Sequence, residues 1–451
     1  MKQRGLKVCL FLLMTSTFMT WGQEYKDYDL SQYRQPDITR NELDFSVNSE
    51  GNFTNYKIDS EEDRRHYGNI SGNLDVTFNR YRNAQRFRGT QRAGVQLSGD
   101  YIRDGMGAKN RTYLVGLSYD NSSRFYGDDY EGLFFETGGL AAFSILGDKD
   151  YGEVERETKS TRKNFSVSIP LRVGKGRIER VEDARQAIYI LENLAKRKVL
   201  NRTLTDEEIY EFAQVISTVK NKRFFDARLR LIDEVTAVDS FLVQSGALAT
   251  NGASYFTTLY DYWMYGDLFE RKSGTEISGG ITPGFEFAKY EEVIAYDSKR
   301  LSPSIVADVR LDYEKPMNLY WQNSAMVRVY GGYEYRYEEY DGGAGMESKL
   351  NNYNANLNAR YGFGYYPNSR TNINLGVEEL LSWNKLANKD ADLGSDSYVG
   401  THTSLYLDLY YYFSPQLRLA AEGNLGYQYS DLYAYNSWTG NFVLTLTYSL
   451  F

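Results

Sequence analysis

Cysteine is nearly missing from this chain of 451 residues: Cys9 is the only one, close to the N-terminus. Everything after it lacks a thiol, which excludes disulfides. Histidine is almost as scarce, His66 and His402 being the whole supply, so a metal centre of the His and Cys kind lacks its raw material. No metal site and no cofactor are expected, although a carboxylate calcium site in an acidic loop stays open. Cations are in the minority, 52 Lys and Arg against 60 Asp and Glu for a net charge of -8, and that balance argues against nucleic acid as a partner. Long apolar runs are missing too. Past the first two dozen residues nothing approaches the ~20 residues of a membrane-crossing helix.

The N-terminus has one short apolar run. Lys2, Arg4 and Lys7 precede the stretch from Val8 to about Phe18, and small and polar residues follow. This is the pattern of a secretory signal peptide over residues 1–22, with cleavage expected near Gly22. Its removal takes the net charge to about -11.

What the chain has in abundance is alternation. Tyr353, Ala355, Leu357, Ala359, Tyr361 and Phe363 occupy one parity, while Asn352, Asn354, Asn356, Asn358 and Arg360 occupy the other. Successive side chains of a strand point to opposite faces, so one face is apolar throughout. The same holds for Leu43, Phe45 and Val47 against Asp44, Ser46 and Asn48, and for Ile305, Ala307, Val309 and Leu311 against Asp308, Arg310 and Asp312. Soluble strands average about 5 to 6 residues. These runs are about twice as long, close to the ~9 to 11 that a tilted strand needs to cross a bilayer. A charge on the lipid face at the midplane costs roughly 2 to 4 kcal/mol, which explains why charges keep to one side. The 41 tyrosines and the aromatic fraction of 15% suit rings seated at both membrane interfaces.

The expected fold is therefore an all-β transmembrane antiparallel up-and-down barrel in the outer membrane. Fourteen strands are expected, near 43–56, 68–80, 90–103, 110–121, 133–146, 162–174, 274–290, 303–314, 318–336, 351–365, 370–383, 398–413, 416–430 and 440–451, with 12 or 16 also compatible. An even number places both termini on the periplasmic side. Connections after even-numbered strands are then short turns, such as Glu314 to Met317 or Ser414 with Pro415, and those after odd strands are longer loops, such as Asp148 to Lys159 or Leu386 to Tyr398.

One stretch, from about Gly176 to Gly246, breaks the pattern. Val181, Ala184, Ile188, Leu191 and Ala195 recur at helical steps. Thr205 with Glu208 forms a capping-box pair ahead of Ile209, Phe212, Ile216 and Val219. A third helix is expected from about Phe224 to Leu242. The mixed charges of this stretch read as solvated helix faces. The expected organisation is a signal peptide at 1–22, a periplasmic segment at 23–42, barrel strands at 43–174, a helical periplasmic insert at 175–250 and barrel strands at 251–451. The insert is expected to act as a stabilising cap, a plug or a docking element for a periplasmic protein.

Parity assigns the wall of the lumen. Arg92, Asp100, Arg172, Asp308, Arg310, Asp312, Arg328, Glu334, Arg336, Arg360, Glu378, Asp408, Arg418 and Glu422 all fall on the inward face. Both signs are present, so selectivity for one sign of charge is not expected. A wide lumen makes this wall a water channel and a narrow one makes it a packed ion network. The expected functions are accordingly a porin-like or export barrel for small polar solutes or a polymer, or a non-conducting structural or adhesive surface barrel.

The C-terminal residues resemble the last strand of bacterial outer-membrane proteins. Phe442, Leu444, Leu446, Tyr448 and Leu450 alternate, and Phe451 supplies the terminal aromatic. The resemblance implies recognition by the barrel assembly machinery. His402 with Ser404 looks like the His-x-Ser pair of the outer-membrane phospholipase family, which would imply Ser as nucleophile and His as base. Both residues share the inward parity of Asp408, whereas a lipase presents its nucleophile to lipid, so no catalytic residue and no enzyme activity are expected. His66 beside Glu61, Glu62 and Asp63 is the one site that an omptin-like protease could use, but such acidic loops are usually just solvated and no chemical role is expected for His66.

Overall fold

The computed structural model describes residues 25–57, 64–104, 108–152, 157–222, 227–266, 269–292, 297–341, 346–386, 397–414, 417–432 and 435–448. The signal peptide, Glu61 to Asp63, Leu450 and Phe451 lie outside them.

Fifteen strands form one antiparallel sheet. They are β1 (Ile38–Lys57), β2 (Arg64–Ala84), β3 (Phe87–Arg103), β4 (Lys109–Tyr126), β5 (Leu133–Tyr151), β6 (Glu157–Ser168), β7 (Leu171–Arg180), β8 (Lys272–Glu292), β9 (Asp297–Pro316), β10 (Trp321–Asp341), β11 (Met346–Asn368), β12 (Thr371–Leu386), β13 (Ser397–Tyr412), β14 (Leu417–Ser430) and β15 (Tyr435–Tyr448). β6 and β7 are two halves of one stave: both pair with β5 on one side and β8 on the other. Pro170 interrupts them because its nitrogen cannot donate to the ladder. Ile169 just before it still donates to the Pro283 carbonyl at 3.0 Å. Fifteen strands therefore make the fourteen staves expected, in simple up-and-down order. Among the described residues, β1 and β15 each pair with a single neighbour.

Cross-strand register carries the alternation round the wall. Phe45 opposes Val76, Val76 opposes Val95, Val95 opposes Leu117, and Leu117 opposes Phe143. Large apolar side chains stand exposed on this face, among them Val47, Leu97, Val309, Val329, Leu375 and Leu407. Lipid is the environment that accepts such a surface. Aromatics gather near both ends of the band: Trp321 stacks on Tyr365 with centroids 4.1 Å apart, and Tyr333 packs on Tyr353 at 5.1 Å. The charge segregation has one exception in mid-wall. Glu379 shares the outward parity of Val377 and Leu381, and Thr401 and Thr403 on β13 both donate to it.

The strands outrun the expected lengths, reaching 23 residues in β11. The surplus lies mostly at the odd-loop end, where ladders such as Asp341 opposite Asp297 and Tyr340 opposite Met346 continue past the apolar band.

Four helices rather than three fill the insert: α1 (Glu182–Lys196), α2 (Asp206–Asn221), α3 (Ala227–Gln244) and α4 (Ala253–Tyr265). β7 runs to Arg180 and β8 starts at Lys272, so the barrel continues beyond residue 174 and the insert extends well past 250. The capping box is present, with the Thr205 amide donating to Glu208 Oε2 at 2.9 Å and the Glu208 amide to Thr205 Oγ1 at 3.3 Å. Ala184, Ile188, Leu191, Phe212 and Ile216 are fully buried and form the core of this cap. Each such Leu, Ile or Phe contributes about 1.5 to 3 kcal/mol by burial. α1 departs from the expected one-sided helix. Glu182, Asp183, Arg185, Gln186 and Glu192 are buried as well: Lys220 reaches Asp183 at 2.9 Å, Arg180 reaches Glu182 at 2.6 Å and Lys196 reaches Glu192 at 2.8 Å, while among the described residues Glu182 Oε2, Arg185 Nε and Nη1, and Gln186 Oε1 meet no hydrogen-bond partner. Burial raises the Glu182 carboxyl above its ordinary value in spite of Arg180.

The segment before β1 belongs to the cap. Tyr25, Tyr28, Leu30 and Tyr33 join its core. Burial, with Asp206 nearby, pushes the Tyr28 hydroxyl up to about 12. Among the described residues no helix is long and apolar enough to cross a membrane.

Candidate functional site

The cap sits on the even end of the barrel, where Arg271 and Arg185 tie it down and Arg177 on β7 fastens that strand to the β2–β3 turn beneath. Arg177, with a fully buried side chain, donates to Glu179 Oε1 at 2.6 Å, Asn83 Oδ1 at 2.7 Å and the Gln85 carbonyl at 3.0 Å in the β2–β3 turn. Arg271 donates to the Leu319, Asn318 and Trp321 carbonyls at 2.7 to 3.0 Å in the β9–β10 turn, and to Gln322 Oε1 at 2.9 Å. Burial, with Arg185 close by, pulls the Arg271 guanidinium down to about 10, still charged at neutral pH. Arg185 donates to the Phe269 carbonyl, and Tyr189 donates to the Tyr366 carbonyl at 3.4 Å. Tyr265 and Phe269 pack on Tyr412 and Tyr410 at the end of β13. The cap thus touches turns and strand ends from β7 round to β13, and the segment before β1 that joins it reaches β2 where Tyr81 donates to Gln35 at 3.2 Å, which places it across the mouth.

Above the cap, inside the barrel, charged side chains meet in an unbroken chain. Glu276 on β8 accepts from Arg124 on β4 at 2.7 Å, Arg124 donates to Glu136 on β5 at 2.6 Å, and Arg172 on β7 donates to the same Glu136 at 3.1 Å. Arg172 also reaches Asp308 on β9 at 3.1 Å, and Arg328 on β10 reaches Asp308 at 3.2 Å. Arg310 binds its neighbour Asp312 at 2.6 and 2.8 Å. The carboxylates are the buried members: the side chains of Asp308, Glu276 and Glu136 are 2%, 4% and 5% exposed. Burying these charges is tolerable because each carboxylate meets a guanidinium.

This chain borders a cavity of about 420 Å³, also lined by Arg88, Lys272, Ser278 and Glu314. A second cavity of about 190 Å³ lies beside it, where Arg360 stacks over Tyr406 at 4.5 Å and donates to its hydroxyl at 3.2 Å, with Asp408, Asn374 and Tyr366 around it.

Of the residues that parity assigned to the wall, Arg172, Asp308, Arg310, Asp312 and Arg328 come together in the first chamber and Arg360 with Asp408 in the second. The others line neither chamber. Arg92 faces Asp120 across the β3–β4 ladder, Asp100 faces Thr112, Glu422 faces Asp408, and Arg418 lies opposite Tyr412. Arg336 donates to Glu334 at 3.1 Å nearer the odd loops, and Glu378 accepts from Asn358 at 3.2 Å. Arg124 and Glu136 are central to the chamber yet absent from the expected set. Parity alone would have found Glu136, which is flanked on β5 by outward Phe135 and Thr137.

His402 and Ser404 hold the inward face, opposite Leu380 and Glu378 respectively. Ser404 is buried. His66 Nδ1 lies 2.5 Å from Asn55 Oδ1. Among the described residues no three His, Cys, Asp or Glu lie together as a metal site would need. Phe442, Leu444, Leu446 and Tyr448 lie on the outward face of β15, opposite Gly423, Ala421, Leu419 and Leu417.

No family model matches the chain, and neither does any curated protein. Among solved structures it is similar to the translocator domain of the autotransporter NalP from Neisseria meningitidis, at 8% identity over 83% of this chain and 88% of that one, with a TM-score of 0.29. It is also similar to the TodX monoaromatic hydrocarbon channel deltaS2 mutant, at 10% identity over 93% and 92% with a TM-score of 0.31. The ferric yersiniabactin uptake receptor FyuA from Yersinia pestis matches at 8% identity over 88% of this chain and 62% of that one, with a TM-score of 0.33. Nothing that those proteins bind carries over at this distance. The barrel assignment rests on the chain's own sheet: a fold of the outer-membrane β-barrel class with a helical insert.

Proposed function

We propose that the protein is a gated channel of the outer membrane for small polar solutes, with the helical cap as the gate over its even, periplasmic mouth. The observation that carries this reading is the polar chamber of about 420 Å³ directly above the cap. A volume of that order suits a small solute, and a wall of both signs suits one that offers donors and acceptors together. The cap rests on the mouth through carbonyl and ion-pair contacts, which water can replace, together with a limited apolar seam at Leu319 and at Tyr265 and Phe269. Its outer side remains available to a periplasmic protein.

A non-conducting structural barrel is the second reading. It is favoured by the continuous pairing from Glu276 to Arg328, since a fully satisfied ion chain fills space that a pore needs open.

Planar bilayer recording separates the two. Arg180 opposes Lys272 directly in the β7–β8 ladder, so a short turn can replace residues 181–271 without disturbing the wall. The full chain is expected to give small or rare openings and the cap-deleted barrel a steady conductance. Silence from both forms overturns the channel and leaves the structural barrel.

A further inference from the structure

Two buried cations meet where the cap joins the wall: Arg185 on α1 and Arg271 just ahead of β8, each 1% exposed. Both guanidinium groups lie over the ring of Tyr366, at 5.4 and 4.7 Å from its centre. Other buried cations of the protein meet carboxylates, as Arg177 meets Glu179 at 2.6 Å and Lys220 meets Asp183 at 2.9 Å. The acceptors of this pair are all uncharged. Arg185 has the Phe269 carbonyl, and Arg271 has the Leu319, Asn318 and Trp321 carbonyls with Gln322 Oε1. Two like charges thus share one aromatic ring.

The two differ in how fully they are satisfied. Arg271 uses all three of its nitrogens, and its four acceptors belong to the β9–β10 turn and β10. Arg185 uses only Nη2; its Nε and Nη1 are buried with no hydrogen-bond partner among the described residues. Its neighbours on the first two turns of α1 fall short in the same way, at Glu182 Oε2 and Gln186 Oε1. The rings of Tyr189 and Tyr366 attract the Arg185 charge, but a buried N–H without an acceptor still costs its desolvation.

Glu182 and Arg185 stand three positions apart on one helix, a spacing at which opposite charges pair. In the closed cap each is drawn elsewhere, Glu182 Oε1 to Arg180 at 2.6 Å and Arg185 to the Phe269 carbonyl. Tilting α1 off the wall wets both groups and lets them meet, while Arg271 keeps its four acceptors on the barrel.

We propose that the first two turns of α1 are a sprung latch, in which Arg185 is held against Arg271 while the cap is closed and gains water and Glu182 when the cap lifts. The inference rests on the reading of the cap as a gate. Arg271 is then the fixed post and Arg185 the part that lets go.

Hydrogen exchange at the amides of α1, in the full mature chain in detergent micelles, tests the latch. Arg185→Met fills the slot between the two tyrosines with a flexible apolar chain and removes the charge and the stranded donors. Exchange should slow about tenfold, the change that relief of one buried donor implies. Arg271→Met, over the same ring, bares four acceptors and should quicken exchange or unfold the cap. A merely structural role for the two arginines moves both variants toward faster exchange. Faster or unchanged exchange in Arg185→Met, loss of its folded cap, or slower exchange in Arg271→Met overturns the proposal. Conductance is a separate readout: a cap-deleted barrel that stays silent in bilayers overturns the channel, whereas the sign of the change at Arg185 judges the latch.

Discussion

Arg271 Nη1 donates to the Leu319 carbonyl at 2.7 Å, and the Leu319 side chain is fully buried in the core of the cap. The residue that leads into β8 is thereby tied to a turn that lends the side chains of Leu319 and Tyr320 to the helices. Truncating it by Arg271→Ala leaves several carbonyls without their donor, at about 1 to 3 kcal/mol. Hydrogen exchange should quicken in α1 and α4 while the barrel amides stay protected. Lys in its place should rescue little, since an ammonium cannot span four acceptors of this geometry.

Asp308 holds two guanidinium groups at once, Arg172 and Arg328. Asp308→Asn keeps the shape and removes the charge between them. Because both arginines keep partial solvent contact, a loss of about 2 kcal/mol is expected, below that of a fully buried pair. The urea midpoint of the barrel in phospholipid vesicles measures it.

Glu208 is held at about 2 by the side-chain bonds from Arg202 and by the Thr205 amide. Its folded value lies below its unfolded one, so its contribution is present above the ordinary carboxylate range and fades as pH falls through about 4.5 toward 2. The amides at the start of α2 should exchange faster over that window. Glu208→Gln should flatten the dependence, and added salt should shrink it because the pair is exposed.

Glu379 faces lipid between Val377 and Leu381, with Thr401 and Thr403 beside it on β13. Glu379→Gln keeps an acceptor for Thr401 and Thr403 and removes the charge, so it should raise barrel stability in bilayers by about 1 kcal/mol, toward the low end of the cost of a lipid-facing charge. Unfolding the variant from vesicles at neutral pH checks the sign.

The staves were legible in the sequence because alternation is local: Tyr353 and Asn354 declare their faces without knowing their partners. Their lengths were not, because beyond the band both faces meet water and the signal fades, as at Glu347 and Ser348. α2 announced itself through Thr205 and Glu208. α4 did not, since its run of Tyr, Phe, Thr and Trp is as suited to a strand as to a helix, and only packing of Tyr255, Leu259 and Trp263 against the cap decides it. The ion chain was half visible. Parity put Arg172, Asp308 and Arg328 on one face, but the bond from Arg172 to Asp308 crosses an intervening stave and depends on curvature that no single strand encodes.

Tyr33, sunk in the cap core, stands five residues before β1 begins at Ile38. A fully extended link of that length reaches roughly 17 Å. The helices are therefore leashed at three points: this link, the passage from β7 into α1, and the strand-ward exit of α4 through Arg271. They behave as a door on short straps rather than as a cork. Any opening must be a swing or a tilt, with the segment around Tyr33 travelling along.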